Sequence, residues 1–506
     1  MRKEKPWVHE RNTVYKKVTR GYLRVGIVYP STYQVSISSL AVNLLYYFLN
    51  RFDDVYAERI VLESSPRSIE TNTHMRDFDV LLFSAHFELV YPDIIKILME
   101  AGIPVLARDR GLDYPLLVVG GPAVTANPEP LAEIFDVIVV GEAEPVLPKL
   151  VEKALENRGE KKRLLEELYG KEGFYIPVYG RHHVVKSWVR KLDEAYHPIR
   201  ELQNDAVEPI YGRGYMVEVS RGCFRKCRFC LEGHVMLPKR DRSYSIIRRL
   251  VEEGLEANNV RRIVFYSLSF FDHHDADRIL EYVARELGVE AGIPSLRPDT
   301  LNDYRLDLIV KAGQKTLTIA PETLSPRIAR VLGKGFTYEY IRELSVKALS
   351  RGLKIKYYFI IGVPGEERED IEVIPRLINQ VVKETGIRAP ETIRLSVNPL
   401  IPKPQTPLQN QGLEDPVILR RKIRLIEEKI PKPIAVLDPY PPKWAVIQAA
   451  IALADRGITR TLIEWSMRGG GLGAWRSAVK STGFNLDYVF TGRKPPYPWS
   501  HIRVTP

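Results

Sequence analysis

Cysteine is scarce in this chain, with three residues in 506. That excludes a disulfide framework, and it excludes a zinc or cubane iron-sulfur site closed by four cysteines. No run approaches the roughly 18 apolar residues of a membrane-spanning helix. The opening MRKEKPWVHERNTVYKK lacks the apolar middle of a secretory signal, so a cytoplasmic location is expected. Hydrophobic and charged fractions of 45% and 27% exclude a disordered tail or a coiled coil. The late glycine run RGGGLGAW lacks the lysine-serine/threonine ending and the preceding apolar strand of a phosphate loop, and reads as a connector.

What is present is concentrated. All three cysteines, Cys223, Cys227 and Cys230, sit in SRGCFRKCRFC with the spacing C-x-x-x-C-x-x-C, and the aromatic Phe229 precedes the last of them. Three thiols at that spacing read as a metal site with one coordination position left open. A zinc site completed by His234 is the alternative. The net charge of +11 is also uneven, with nine Lys or Arg against two acidic residues from Arg221 to Arg249. Such a balance suits RNA, an anionic membrane surface or phosphorylated substrates, or it offsets the negative charge of a metal cluster.

The length predicts about three to four domains. Residues 1–150 alternate short apolar runs with amphipathic stretches, the pattern of a doubly wound, Rossmann-like α/β sheet. Gly120 and Gly121 follow one predicted strand, and Gly141 and Glu142 the next, at the strand ends where such sheets bind ligands. Residues 151–210 read as a helix and a hairpin joining two domains. In 211–410 six β-branched runs recur at helix-length gaps, the pattern of parallel βα units. Residues 411–506 read as a mainly helical extension.

Catalytic groups of a βα barrel belong at the carboxyl ends of its strands. The cysteine loop follows the first predicted strand, and Ser267, Ser269 and Asp272 follow the second. Arg297 stands in SLRPD after the third strand, and Glu322 in TIAPET after the fourth. Arg327 and Arg330 lie just beyond, three residues apart on one helical face, and Gly362 opens the turn after the fifth.

The cysteine motif with Phe229 resembles the signature of radical S-adenosylmethionine enzymes. AERI, GGPAVTANPEPLAE, GEAE, PSLRPD, TIAPET, IPKPQTP and PWSHI, in order along the chain, resemble an uncharacterised group of that superfamily with an amino-terminal cobalamin-binding-like domain. The resemblance implies a partial (βα)6 barrel of the TIM type. It further implies a [4Fe-4S] cluster on Cys223, Cys227 and Cys230, whose fourth iron holds S-adenosylmethionine. Reductive cleavage would then give a 5'-deoxyadenosyl radical. Phe229, Ser267, Ser269, Arg297, Glu322, Arg327 and Gly362 are the implied contacts to S-adenosylmethionine, with Arg327 suited to its carboxylate. Gly120, Gly121, Gly141 and Glu142 are the implied cobalamin contacts.

The resemblance has a gap. The motif that supplies cobalamin with an axial imidazole is missing, because the loop after RVGIVYP contains no histidine. His74 and His86 are isolated in this half and read as filler. Cobalamin therefore stays open, and with it methyl transfer to an unactivated carbon. The implied partners are S-adenosylmethionine, an unknown substrate and an electron donor such as a ferredoxin or flavodoxin. The alternatives are an RNA-binding or RNA-modifying protein and a non-catalytic iron-sulfur protein.

Overall fold

The computed structural model describes residues 5–17 and 21–505. Five parallel strands organise the amino-terminal domain: β1 (Leu23–Val28), β2 (Val55–Ile60), β3 (Val80–Ser84), β4 (Leu116–Gly120) and β5 (Val137–Val139). A sixth, β6 (Phe174–Tyr175), joins the edge antiparallel, giving the order β2-β1-β3-β4-β5-β6. Runs such as VLLF and LLVV are apolar at consecutive positions because both faces of the sheet are covered. The chain leaves β1 toward one side for β2 and returns to the other for β3. The topological switch point, where such sheets bind ligands, therefore lies between β1 and β3.

Helices Leu40–Asn50, Leu147–Glu156 and Lys161–Leu168 cover one face of this sheet, over a core that includes Val25, Leu82 and Val118. The other face is covered by Tyr91–Glu100 and by two helices from the far end of the chain, Thr459–Met467 and Leu472–Thr482. Trp465 and Trp475 share one buried cluster with Phe83, Ile94 and Val119. The carboxyl-terminal extension thus completes the amino-terminal domain. Polar ties reinforce the join: Asn127 Nδ2 donates to the carbonyls of Ala452 and Ala454 at 2.9 and 2.8 Å. Buried Glu129 accepts from Arg456 Nε at 2.9 Å and from the Tyr175 hydroxyl at 2.7 Å.

The hairpin expected within 151–210 does not form. Phe174–Tyr175 pairs with β5, and Val184–Val185 pairs with Ile502–Arg503 near the carboxyl end. An apolar Phe-Tyr pair gains more by closing the open edge of a large sheet than by pairing with its own continuation.

The second half is an open parallel barrel. Strands β7 (Tyr215–Glu218), β8 (Arg262–Tyr266) and β9 (Glu290–Gly292) form one sheet, and β10 (Thr316–Glu322), β11 (Lys354–Ile361) and β12 (Ile393–Pro399) begin another. A parallel bridge between Leu296 and Ile319 joins them. Six helices, from Tyr244–Asn258 to Pro416–Lys429, contribute to one continuous core with these strands. A seventh strand, β13 (Ala435–Pro439), adds parallel to β12 after the last of these helices. Its five residues, bracketed by prolines, carry too little periodicity to be read as a barrel strand.

Leu40 of the first domain packs with Met216, Val264 and Tyr266 of β7 and β8. The Tyr266 hydroxyl donates to the Ser38 carbonyl at 3.0 Å. Among the described residues no helix is long and apolar enough to cross a membrane.

Candidate functional site

The cysteine loop leaves the carboxyl end of β7 and is pinched at its base by an antiparallel pair, Ser220–Arg221 with Arg240–Asp241. Gly222 must be glycine, because its φ is +80° and an added Cβ would collide with the carbonyl oxygens of Met236 and Pro238. The loop is held on its far side too. Arg228 N–H donates to the Leu332 carbonyl at 2.9 Å, and Phe229 packs on a small apolar group that includes Leu332, Val363 and Leu400. Buried Lys186, from the connecting segment, donates its Nζ to the carbonyls of Val235 (2.9 Å) and Leu237, so it caps the short helix Glu232–Val235 that follows Cys230. Burial lowers its pKa to about 8.

All three thiols are free and half-buried. Cys230 receives only the Gly233 N–H, at 3.4 Å, and burial pushes it up to about 12. Burial also raises Cys227, while Lys334 and Arg297 pull it back. Without a bound cation Cys227 and Cys230 hold their protons, and a metal would supply the charge that turns them into ligands. His234 does not join them: its Nε2 lies 3.2 Å from the Cys227 carbonyl. The three sulfurs do not all lie within 4.8 Å of one another, whereas a tetrahedral zinc with bonds of about 2.3 Å needs a separation of roughly 3.8 Å. Three thiols with no fourth cysteine are the donor set of a [4Fe-4S] cluster with one iron left open.

Charged groups from three strand ends surround the loop. Arg297 Nη1 approaches Cys227 Sγ at 3.7 Å and grips both oxygens of Asp299 at 3.0 Å. Asp299 lies 3.6 Å from Arg225, whose Nε donates to Asp272 at 3.0 Å. The chain Asp272–Arg225–Asp299–Arg297 fixes a guanidinium beside the middle cysteine. Glu322, buried at the end of β10, adopts a φ of +64° and pairs with Lys334 at 2.8 Å. A non-glycine residue there costs about 1–3 kcal/mol, and such strain gathers at functional sites.

The other residues singled out by sequence are differently engaged. Ser267 Oγ lies 2.6 Å from Ser220 Oγ, and Ser269 is buried behind it. Arg327 is bound to the Gly365 carbonyl and Asp370, so it clamps the turn after β11. Gly362 N–H donates to Glu366 at 2.7 Å, and an added Cβ would meet Leu419 at 2.8 Å. Arg225 and Lys334 are neighbours that sequence reasoning missed. The GKG around Lys334 was a signal, but its distance to Cys227 was not readable.

At the edge of the first domain the two glycine turns serve the chain itself. An added Cβ at Gly121 would run into the Ala85 backbone, and one at Gly141 into the Ser187 carbonyl. Gly120 makes only ordinary contact with Val139. Glu142 is buried and accepts from Arg240 Nη2 (2.7 Å), Arg221 Nη1 (2.9 Å) and Val189 N–H (2.8 Å). Its carboxylate is saturated by protein donors, which corrects the expectation of a cofactor contact. Arg221 also binds Glu144 at 2.7 Å and Glu218 at 2.7 Å. Burial alone would raise Glu218, but Arg221 and Arg242 outweigh it and hold it at about 2. The GEAE segment therefore anchors the residue that opens the cysteine loop.

The comparisons agree with this geometry. Residues 41–177 match the family described as Radical SAM proteins, N-terminal, and residues 217–378 the Radical SAM superfamily. An uncharacterized protein from Methanocaldococcus jannaschii is 30% identical over 443 residues, covering 87% of this chain and 90% of that one. An uncharacterized methyltransferase from Pyrococcus horikoshii is 28% identical over 263 residues, 51% of this chain and 56% of its own. The radical S-adenosylmethionine methyltransferase TsrM from Kitasatospora setae, solved with cobalamin and a [4Fe-4S] cluster bound, shares the fold. Its TM-score is 0.53 at 14% identity, over 91% of this chain and 98% of that one. A thiol triad at the end of the first barrel strand, two family matches and a relative similar over nearly its whole length lead to one conclusion: the chain belongs to the radical S-adenosylmethionine superfamily and is an enzyme that cleaves S-adenosylmethionine with an iron-sulfur cluster.

Proposed function

We propose that Cys223, Cys227 and Cys230 hold the cluster and that the enzyme transfers a methyl group to an unactivated carbon with cobalamin in its amino-terminal domain. The observation that carries this reading is the direct bolt between the two domains, in which Glu142 and Glu144 grip Arg221 two residues before the first cysteine. A bond network of that kind fixes the first domain against the base of the cysteine loop. The [4Fe-4S] cluster supplies one-electron reduction of S-adenosylmethionine, and cobalamin supplies a methyl carrier.

The chain's own residues bind and orient. Arg297, held rigid by Asp299, offers its remaining N–H groups to the carboxylate of S-adenosylmethionine. Glu322, positioned by Lys334, offers an acceptor for the amino group. The methyltransferase relative and the cobalamin-bound TsrM fold support the methyl-transfer half of the reading. The electron comes from an external donor of the ferredoxin or flavodoxin class, because the three cysteines leave none for a second cluster.

The test is anaerobic cluster reconstitution followed by dithionite and S-adenosylmethionine, with and without methylcobalamin, and products read by mass spectrometry. Formation of 5'-deoxyadenosine, together with S-adenosylhomocysteine that appears only with methylcobalamin, is expected. S-adenosylhomocysteine independent of methylcobalamin would overturn the cobalamin half.

A further inference from the structure

The two halves of the barrel interior are finished differently. Along each strand, residues packed against the helices alternate with residues that point inward. Tyr215, Val217, Tyr357 and Leu395 belong to the helix-side core, so their strand neighbours line the lumen. On β7 and β8 those neighbours include Met216, Val264 and Tyr266, and Leu40 of the first domain packs onto them. That half is apolar and filled.

The wall formed by β10 to β13 is polar and open. Its inward positions include Thr318, Lys356, Tyr358, Ser396, Asn398 and Asp438. Among the described residues none of these six side chains makes a hydrogen bond or an ion pair, and the Lys356 ammonium only lies over the Tyr358 ring at 5.1 Å. Other hydroxyls of the barrel strands are used: Tyr357, facing the helices, lies 2.5 Å from Ser345 Oγ, and Tyr266 donates to the Ser38 carbonyl. Lys356, Tyr358 and Asn398 are each partly exposed, so solvent reaches the wall.

Charge stands on it without compensation. Register sets Lys356 directly beside Arg394, one strand spacing of about 4.8 Å away, and Lys354 projects from the same face two residues earlier. Like charges at that separation repel. Arg394 has Glu391 at 3.5 Å, and the two lysines have no acid partner among the described residues. Strands rise about 3.3 Å per residue, so Lys356 lies roughly 17 Å below the carboxyl end of β11. Tyr358, Ser396 and Asn398 line the way up.

We propose that this wall binds the substrate, and that the substrate carries an anionic group, a carboxylate or a phosphate, gripped by Lys356 and Arg394 while its reacting carbon lies near the strand ends. Tyr358, Ser396 and Asn398 hydrogen-bond the stretch between. The inference rests on the reading that the cluster sits on the three cysteines at those ends, and it does not depend on cobalamin.

The probe is pyridoxal 5'-phosphate, an anionic aldehyde, applied to the full chain with its reconstituted cluster. The aldehyde condenses with a lysine amine with loss of water, borohydride reduces the imine to a stable secondary amine, and peptide mass spectrometry locates the label. Lys356 should label about tenfold faster than Lys443, an exposed lysine with no ion pair among the described residues, and pyridoxal without the phosphate should lose that preference. Arg394→Gln should slow labelling at Lys356 and leave Lys443 unchanged. Excess inorganic phosphate or benzoate should protect Lys356, the stronger protector identifying the anionic group. Labelling of Lys356 that is no faster than that of Lys443, indifferent to Arg394→Gln or unprotected by either anion would overturn the anion site. The first comparison needs no variant, so a misfolded substitution does not shield the proposal. Formation of 5'-deoxyadenosine by the unlabelled enzyme checks the cluster separately, and its failure would overturn that placement while the labelling result stands.

Discussion

The cysteine loop and the glycine turns of the first domain looked alike in sequence, each a short motif at the end of a strand. In the structure they differ in what they leave free. The cysteine loop spends its glycine and its backbone on fixing itself, and its three thiols remain without strong partners. The GG and GE turns spend their glycines on close approach to Ala85 and Ser187, and the glutamate on Arg221 and Arg240. A reactive side chain identifies a chemistry. A glycine identifies only that something comes near, and here the neighbour is the protein.

Substitutions can break this comparison. The largest effect is expected at the thiols: Cys227→Ala should remove the cluster and abolish 5'-deoxyadenosine formation, checked by iron content and product analysis. Arg221→Met comes next, because it removes the cation shared by Glu142, Glu144 and Glu218 and leaves Glu144 without its counter-charge. Breaking a buried ion pair costs about 3–5 kcal/mol, and both thermal stability and cluster retention should fall. Unimpaired cluster retention would show that the interdomain bolt does not serve the loop.

Gly141→Ala should cost about 2–4 kcal/mol from overpacking and positive φ, even with no cofactor added. Gly159→Ala, also at positive φ but with open space around it, should cost only about 1 kcal/mol. If the two melt alike, close approach is not what Gly141 provides. The smallest effect is expected for Arg327→Ala, which removes a partly exposed ion pair. It should shift stability by about 0.2–1 kcal/mol and leave KM for S-adenosylmethionine unchanged, whereas Arg297→Ala should raise that KM.

Acid should act on the same architecture in two windows. His197 and His501 are held at about 4 by burial, below the ordinary 6.5, so the stability they contribute is lost as pH falls from about 6.5 toward 4. Glu218 is held at about 2, below the ordinary 4.5, and its contribution is lost between about 4.5 and 2. In Arg221→Met the second window should move up, because Glu218 loses its first counter-charge. Equilibrium melts across pH 2–7 check both.

Much of the fold was legible because parallel strands buried on both faces write themselves as apolar runs, and the cysteine spacing writes a metal loop directly. β13 was not legible, since five residues between prolines hold too little pattern. The two-residue segments of 151–210 were misjudged as a hairpin, because strand partners are chosen by distant edges.

By itself the sequence determined the α/β class, the cysteine triad and the superfamily to which they belong, all properties of local residue order. Only the tertiary structure decided that the last helices complete the first domain and that Glu142 serves Arg221. It also decided that Arg297 stands beside Cys227 in place of Arg327, and that His86 faces Tyr29 across the switch point. Each of these is a contact between residues far apart in the chain, fixed by which surfaces must leave water together, and no window of neighbouring residues records that.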